Sequence, residues 1–101
     1  MTKILLACGT GASSGFVAQS MRKAAKKQGL EVSIKATSDT DIMEYVNDID
    51  ILLIGPHLKH RFEEIENSVK DFGVKSMIIS KDHYAILDGK SVLEEALQLV
   101  K

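Results

Sequence analysis

Four apolar runs alternate with four helix-like segments along 101 residues, and no linker, low-complexity tract or internal repeat interrupts them. That βαβαβαβα order constrains the fold more than any single motif, because consecutive strands joined through helices lie parallel and need helices to cover them. "KILLAC" (3–8) and "DILLIG" (50–55) are continuously apolar, as strands buried on both faces must be. "EVSIKA" (31–36) alternates polar with apolar residues like an edge strand, and "KSMIIS" (75–80) completes the set. Right-handed crossovers leave few orders for four such strands, and 2-1-3-4 is expected. The expected architecture is an α/β three-layer sandwich: a four-stranded parallel sheet, order 2-1-3-4, with helices on both faces. Residues 1–101, 45% hydrophobic, form one domain around one core on this reading.

The helices are expected over 14–28, 39–48, 58–72 and 88–100. In the first, Phe16, Val17, Met21, Ala24 and Ala25 share a face, Ser13 or Ser14 caps the start, and Gly29 follows the end. Its Arg22, Lys23, Lys26 and Lys27 complement the helix dipole and solvate the outer face. Leu58, Phe62, Ile65, Val69 and Phe72 recur at helical spacing and read as core, as do Val92, Leu93, Ala96, Leu97 and Val100 in the last helix. Met21, Met43 and Met77 read as core filler.

In a 2-1-3-4 sheet the chain turns one way after strand 1 and the other way after strand 2, which opens a crevice beyond the C-terminal ends of strands 1 and 3. The only cysteine, Cys8, stands at that point and leads into Gly9, Thr10, Gly11, Ala12, Ser13, Ser14 and Gly15 before the first helix. Small residues let backbone N–H groups approach an anion, and the unpaired amides of a helix start add to them, so the stretch reads as a cradle for a phosphate dianion. The same field stabilises a thiolate, which makes Cys8 a candidate nucleophile. Buried filler at a strand end is the competing reading for a lone cysteine.

Other glycine-loop chemistries fit less well. Ser14 stands where a dinucleotide fingerprint wants Gly, and Phe16 and Val17 follow Gly15 where a nucleotide P-loop wants Lys and Ser or Thr. A cysteine phosphatase would carry Arg where Ser14 stands, its guanidinium forking onto the equatorial oxygens. Asp82 in "SKDHYAI" occupies the loop where low-molecular-weight phosphatases keep a general acid, so a phosphatase-like enzyme is the alternative, and a non-catalytic anion-binding domain a third reading. One cysteine supplies no disulfide or resolving thiol, and the three histidines complete no metal-ligand spacing, so no metal or cofactor is expected. A formal charge of −1 argues against nucleic acid. The short apolar run after Met1 is no signal-peptide core and no segment is long enough to span a bilayer, so a cytoplasmic chain without membrane insertion is expected. No helix shows a second apolar face, which suggests a monomer in isolation.

Three segments, "ILLACGTGASSGFVAQSM", "DILLIGPHLKHRFEEI" and "AILDGKSVLEEAL", resemble in order the enzyme IIB components of the bacterial phosphoenolpyruvate-dependent sugar phosphotransferase system, lactose/cellobiose family. The resemblance implies that Cys8 accepts a phosphoryl group from a phosphohistidine of enzyme IIA. It would pass that group to a sugar, such as lactose, cellobiose or chitobiose, entering through the membrane component IIC. It implies backbone amides of Gly9 to Gly15 as the phosphate cradle, and a relay explains why no Arg is wanted at position 14. Loops beyond strands 1, 3 and 4 are expected to bring Phe16, Val17, Pro56, His57, Leu58, His83 and Tyr84 to a docking rim, with His57 on the rim or on the phosphate. His60 is expected on the outer, solvated side.

Overall fold

The computed structural model describes residues 1–8, 12–86 and 88–100, and the side chains of all of these except 8 and 12–14. Strands β1 (Thr2–Cys8), β2 (Val32–Ser38), β3 (Ile51–Ile54) and β4 (Lys75–Ile78) form one sheet in the order β2-β1-β3-β4, every pairing parallel. The expected topology is the one observed.

The apolar runs of β1 and β3 split by parity. Ile4, Leu6, Ile51 and Leu53 enter a cluster on one face with Val17, Met21, Val92 and Leu93. Leu5, Ala7, Leu52 and Ile54 enter the cluster on the other face with Ile42, Leu58, Ile65 and Val69. Each central strand is buried on both sides, which is why neither shows polar alternation. β2 and β4, with partly exposed positions, form the edges.

On the first face lie α1 (Ala12–Gln28) and α5 (Gly89–Gln98). α1 ends at Gly29, φ 68°, where Leu30 N–H donates to the Ala25 carbonyl (2.9 Å) and Gly29 N–H to that of Lys26 (3.2 Å). Those two bonds satisfy carbonyls that the helix end would otherwise orphan. α5 begins beneath an Asp88 cap whose Oδ1 accepts the Ser91 N–H at 3.1 Å. Gly89 is buried against α1: a Cβ there would lie 2.4 Å from Met21 N and from Ser20 C, and its own N–H donates to Ser20 Oγ at 3.1 Å. Only glycine lets the two helices approach so closely.

The second face is assembled from shorter pieces. α2 (Ile42–Tyr45) follows a 3₁₀ turn at Asp39–Asp41, and α3 (Phe62–Val69) sits between 3₁₀ segments at Pro56–Arg61 and Lys70–Phe72. Here the expected helices 39–48 and 58–72 are corrected. After β2, side-chain bonds among Ser38, Thr40 and Asp41 compete with helical backbone bonding. After β3, Leu58 leaves helical geometry (φ −102°, ψ 17°) and is buried in the second cluster. The apolar spacing therefore survives while the helix does not run through.

Several core assignments at helix margins also change. Phe72 lies past the last α turn, in the segment that ends at Gly73, and is 48% exposed. Val100, beyond α5, and Met43, on the outer side of the four-residue α2, are 44% and 50% exposed and are not core. α4 (Lys81–Ala85) occupies what reads as a loop; five residues are too few to show a period. Leu99, just past α5, borders Val74 and Lys75 at the start of β4, so this end of the described chain and the beginning of β1 lie along the same margin of the sheet.

Candidate functional site

Cys8 is the last residue of β1, and α1 opens at Ala12. Gly9, Thr10 and Gly11 lie outside the described residues, as do the side chains of Cys8, Ala12, Ser13 and Ser14. Ala12 to Gly15 form the first turn of α1 and not a loop, which corrects the expected start at 14 and the Ser13 or Ser14 cap. The first-turn amides have no intrahelical partner, so helix winding brings donors toward the end of β1 without any side chain.

Backbone pairing sets the neighbours of Cys8. Its register partner is Ser38 at the end of β2. On the other side Gly55 N–H donates to the Ala7 carbonyl (2.9 Å), which turns the chain after β3 across the end of β1. Ile79 N–H donates to the Ile54 carbonyl (2.8 Å) and aligns the exit of β4 likewise. All four strand ends thus share one margin of the sheet.

The structure brings some of the expected rim residues together and withdraws others. Pro56, His57 and Tyr84 line an open groove of about 660 Å³ whose wall is completed by Ile78, Ile79 and Ser80, with Lys59 and Lys81 at its borders. His57 is exposed and stands edge-on to Tyr84, with centroids 5.2 Å apart and planes at 73°. Tyr84 is buried and makes the floor rather than the rim. Phe16 is 61% exposed and remains at the surface near the start of α1. Its neighbour Val17 is fully buried under α1, because one helical step turns a side chain by about 100°, so it offers a partner no surface. Leu58 is equally withdrawn, packed beneath the sheet. His83 turns toward α5, its Nδ1 2.9 Å from Glu95 Oε1. His60 is exposed, as expected, and Asp82 is exposed as well.

Charge around these elements is arranged structurally in places that sequence reading missed. Arg22 donates through Nε (2.9 Å) and Nη2 (2.6 Å) to the Ile34 carbonyl, tying α1 to β2. Arg61 is paired with Asp39 and its Nε lies 3.7 Å from Glu64. No periodicity or motif marks either arginine. Asp88 is held below the ordinary carboxylate range by hydrogen bonds from the Ser91 N–H and hydroxyl, with help from His83 and Lys90. A cleft of about 490 Å³ between α1 and the start of α5, bordered by Lys23, Lys27 and Lys90, lies away from the strand ends. Among the described residues no group of three His, Cys, Asp or Glu side chains is placed to hold a metal ion.

Residues 3–95 match the family model of the lactose/cellobiose-specific IIB subunit of the PTS system. The chain belongs to that family. It is a phosphotransferase component of a sugar phosphotransferase system, of lactose/cellobiose type. The oligo-β-mannoside-specific EIIB component of Bacillus subtilis (strain 168) is 31% identical over 100 residues, 99% of this chain and 97% of that protein. The lactose-specific EIICB component of Staphylococcus epidermidis is 27% identical over 95 residues; the match takes in 92% of this chain but 16% of that longer protein, whose name joins IIB to IIC. The lactose-specific IIB domain from Streptococcus pneumoniae superposes with a TM-score of 0.89 over 99% of this chain and 98% of its own, at 15% identity, which speaks to the fold. A structure of YwlE arginine phosphatase, a cysteine-to-serine mutant with a phosphorylated active-site serine, is a more distant likeness in fold. Its TM-score is 0.55 at 14% identity, over 99% of this chain and 93% of that one. No helix among the described residues of this IIB chain is long and apolar enough to cross a membrane.

Proposed function

We propose that Cys8 is the phosphoryl carrier of this IIB component. The Cys8 thiolate attacks the phosphorus of a phosphohistidine on enzyme IIA; an S–P bond forms, the N–P bond breaks, and the imidazole leaves. A sugar hydroxyl presented by the membrane component IIC then attacks the same phosphorus, the S–P bond breaks, and the thiolate returns. The sugar is proposed to be a disaccharide, such as lactose, cellobiose or chitobiose. The observation that carries the reading is the place of Cys8, at the end of a central strand and four positions before the first residue of α1. Amides from Gly9 to Gly15 would hold the phosphoryl oxygens, a field that favours a thiolate as well as a dianion.

IIA is proposed to dock over the groove beside Cys8, against Phe16, Pro56 and His57, with Lys59 and Lys81 meeting acidic groups of the partner. The 101 residues would act as one monomeric domain on the cytoplasmic side of the membrane, recruited there through IIC.

Incubation with enzyme I, the general carrier protein, IIA and phosphoenolpyruvate tests this reading by intact-mass spectrometry. A gain of one phosphoryl group is expected in the parent and none in Cys8→Ala, with circular dichroism unchanged. Labelling that persists in the variant would sink the proposal. The YwlE likeness and the position of Asp82 after β4 favour a phosphatase as the second reading. Steady p-nitrophenyl phosphate turnover dependent on Cys8 and Asp82 would select it. Ser14 in the guanidinium position weighs against it, since the chain lacks there the charge that speeds repeated hydrolysis.

A further inference from the structure

One ion pair at the strand ends has no part in the relay itself. Asp39 directly follows Ser38, and Ser38 is the register partner of Cys8. Asp39 therefore stands one residue beyond the position paired with Cys8, on a strand that runs about 4.8 Å from β1. The Asp39 side chain is 14% exposed, so water screens it poorly, and Arg61 grips its Oδ2. A bare carboxylate at that place would oppose, by like charge, both ionisation of the thiol and arrival of a phosphoryl dianion. The other charges at this margin of the sheet do not replace Arg61. After β2, Asp41 adds a second negative group, already hydrogen-bonded by Ser38 (3.3 Å). After β3, Glu64 shares Arg61 (Nε–Oε2 3.7 Å) but is itself exposed, Lys59 borders the groove, and His57 and His60 are exposed. After β4, Lys81 and Asp82 stand side by side with opposite signs.

We propose that Arg61 is a positioning residue of the phosphotransfer site: its guanidinium neutralises Asp39 and so keeps the field at the end of β1 favourable to the Cys8 thiolate and its phosphoryl group. The charge that a phosphatase supplies from the cradle itself is here supplied indirectly, from the segment after β3 acting through the carboxylate after β2. The proposal rests on the reading of Cys8 as phosphoryl acceptor.

Because Cys8 is the only cysteine, the pH dependence of iodoacetamide alkylation of the full chain reports this thiol alone. Arg61→Gln is expected to raise the alkylation midpoint by about one pH unit, the scale of a neighbouring like charge. Asp39→Asn in that background is expected to restore the parent midpoint, and Asp39→Asn alone to leave it at or below the parent's. A merely structural tie would lower the melting temperature of Arg61→Gln without moving the midpoint, and that result overturns the proposal. So does a double variant that keeps the raised midpoint. Should Arg61→Gln fail to fold, Asp39→Asn alone decides, since a midpoint raised above the parent's contradicts the assigned sign. Alkylation needs no phosphodonor, so these outcomes are separate from any failure of Cys8 to take up phosphate.

Discussion

The two faces of the sheet solve the same packing problem differently. One is covered by α1 and α5, helices of 17 and 10 residues that touch backbone to backbone at Gly89. The other is covered by α2 and α3, of 4 and 8 residues, patched with three 3₁₀ segments and held in part by the Arg61–Asp39 pair. The longest of these helices, α1, starts at the margin where Cys8 ends β1. Short segments after β3 and β4 instead build the groove and bring Lys59 and Lys81 to its border. Long and short segments are thereby divided between the faces.

The contrast is sharpest at Gly89. Gly89→Ala would drive a Cβ into the backbone of Met21 and Ser20, and a loss of about 3 kcal/mol is expected in urea unfolding. A variant as stable as the parent would mean that this face is no tighter than the other. Arg22→Ala removes both donors to the Ile34 carbonyl and should cost about 1 kcal/mol by the same measurement, felt first where α1 meets the β2 edge. Asp88 gives the α5 start a pH signature. Its carboxyl is depressed in the fold, so its contribution is present above the ordinary carboxylate value near pH 4 and is lost as pH falls from there through the folded value. Asp88→Ala should flatten that part of the melting-temperature profile and lower the plateau above it; a parent-like slope in the variant would assign the acid sensitivity elsewhere. On the looser face, Phe72→Ala is expected to change stability by less than about 0.5 kcal/mol, since that ring is half in solvent. A loss several times larger would show that the 3₁₀ segment at the end of α3 bears more of the packing than its exposure suggests.

The difference between faces also explains what was legible in the sequence. α1 announces itself through period and terminal glycine, and α5 through period, because long helices average over many positions. β1 and β3 read as central from unbroken apolar runs, and their burial on both sides bears that out. The helix expected over 58–72 fails at Leu58 and Arg61, where the apolar spacing is right but the backbone between the apolar positions is not helical. α4 is invisible because five residues cannot display a period, yet it carries Tyr84 into the groove. The place of Cys8 at the end of a central strand is readable from the apolar run before it. The fate of Val17 and Leu58 is not, since a residue's place in chain order says nothing of which side of a helix turn it takes. Arg22 and Arg61 are beyond reach for a different reason: the carbonyl and the carboxylate they hold lie on other elements, brought close only by folding.

The position of Leu99 beside Val74 and Lys75 means that both ends of the described chain emerge at the margin where the strands begin, a full strand length from Cys8. A tether attached at either end would hold the domain by the margin opposite the end of β1. A fusion at either end, of the kind the name of the EIICB relatives describes, would then leave the groove of Pro56, His57 and Tyr84 uncovered, as would a purification tag or fluorescent reporter placed there.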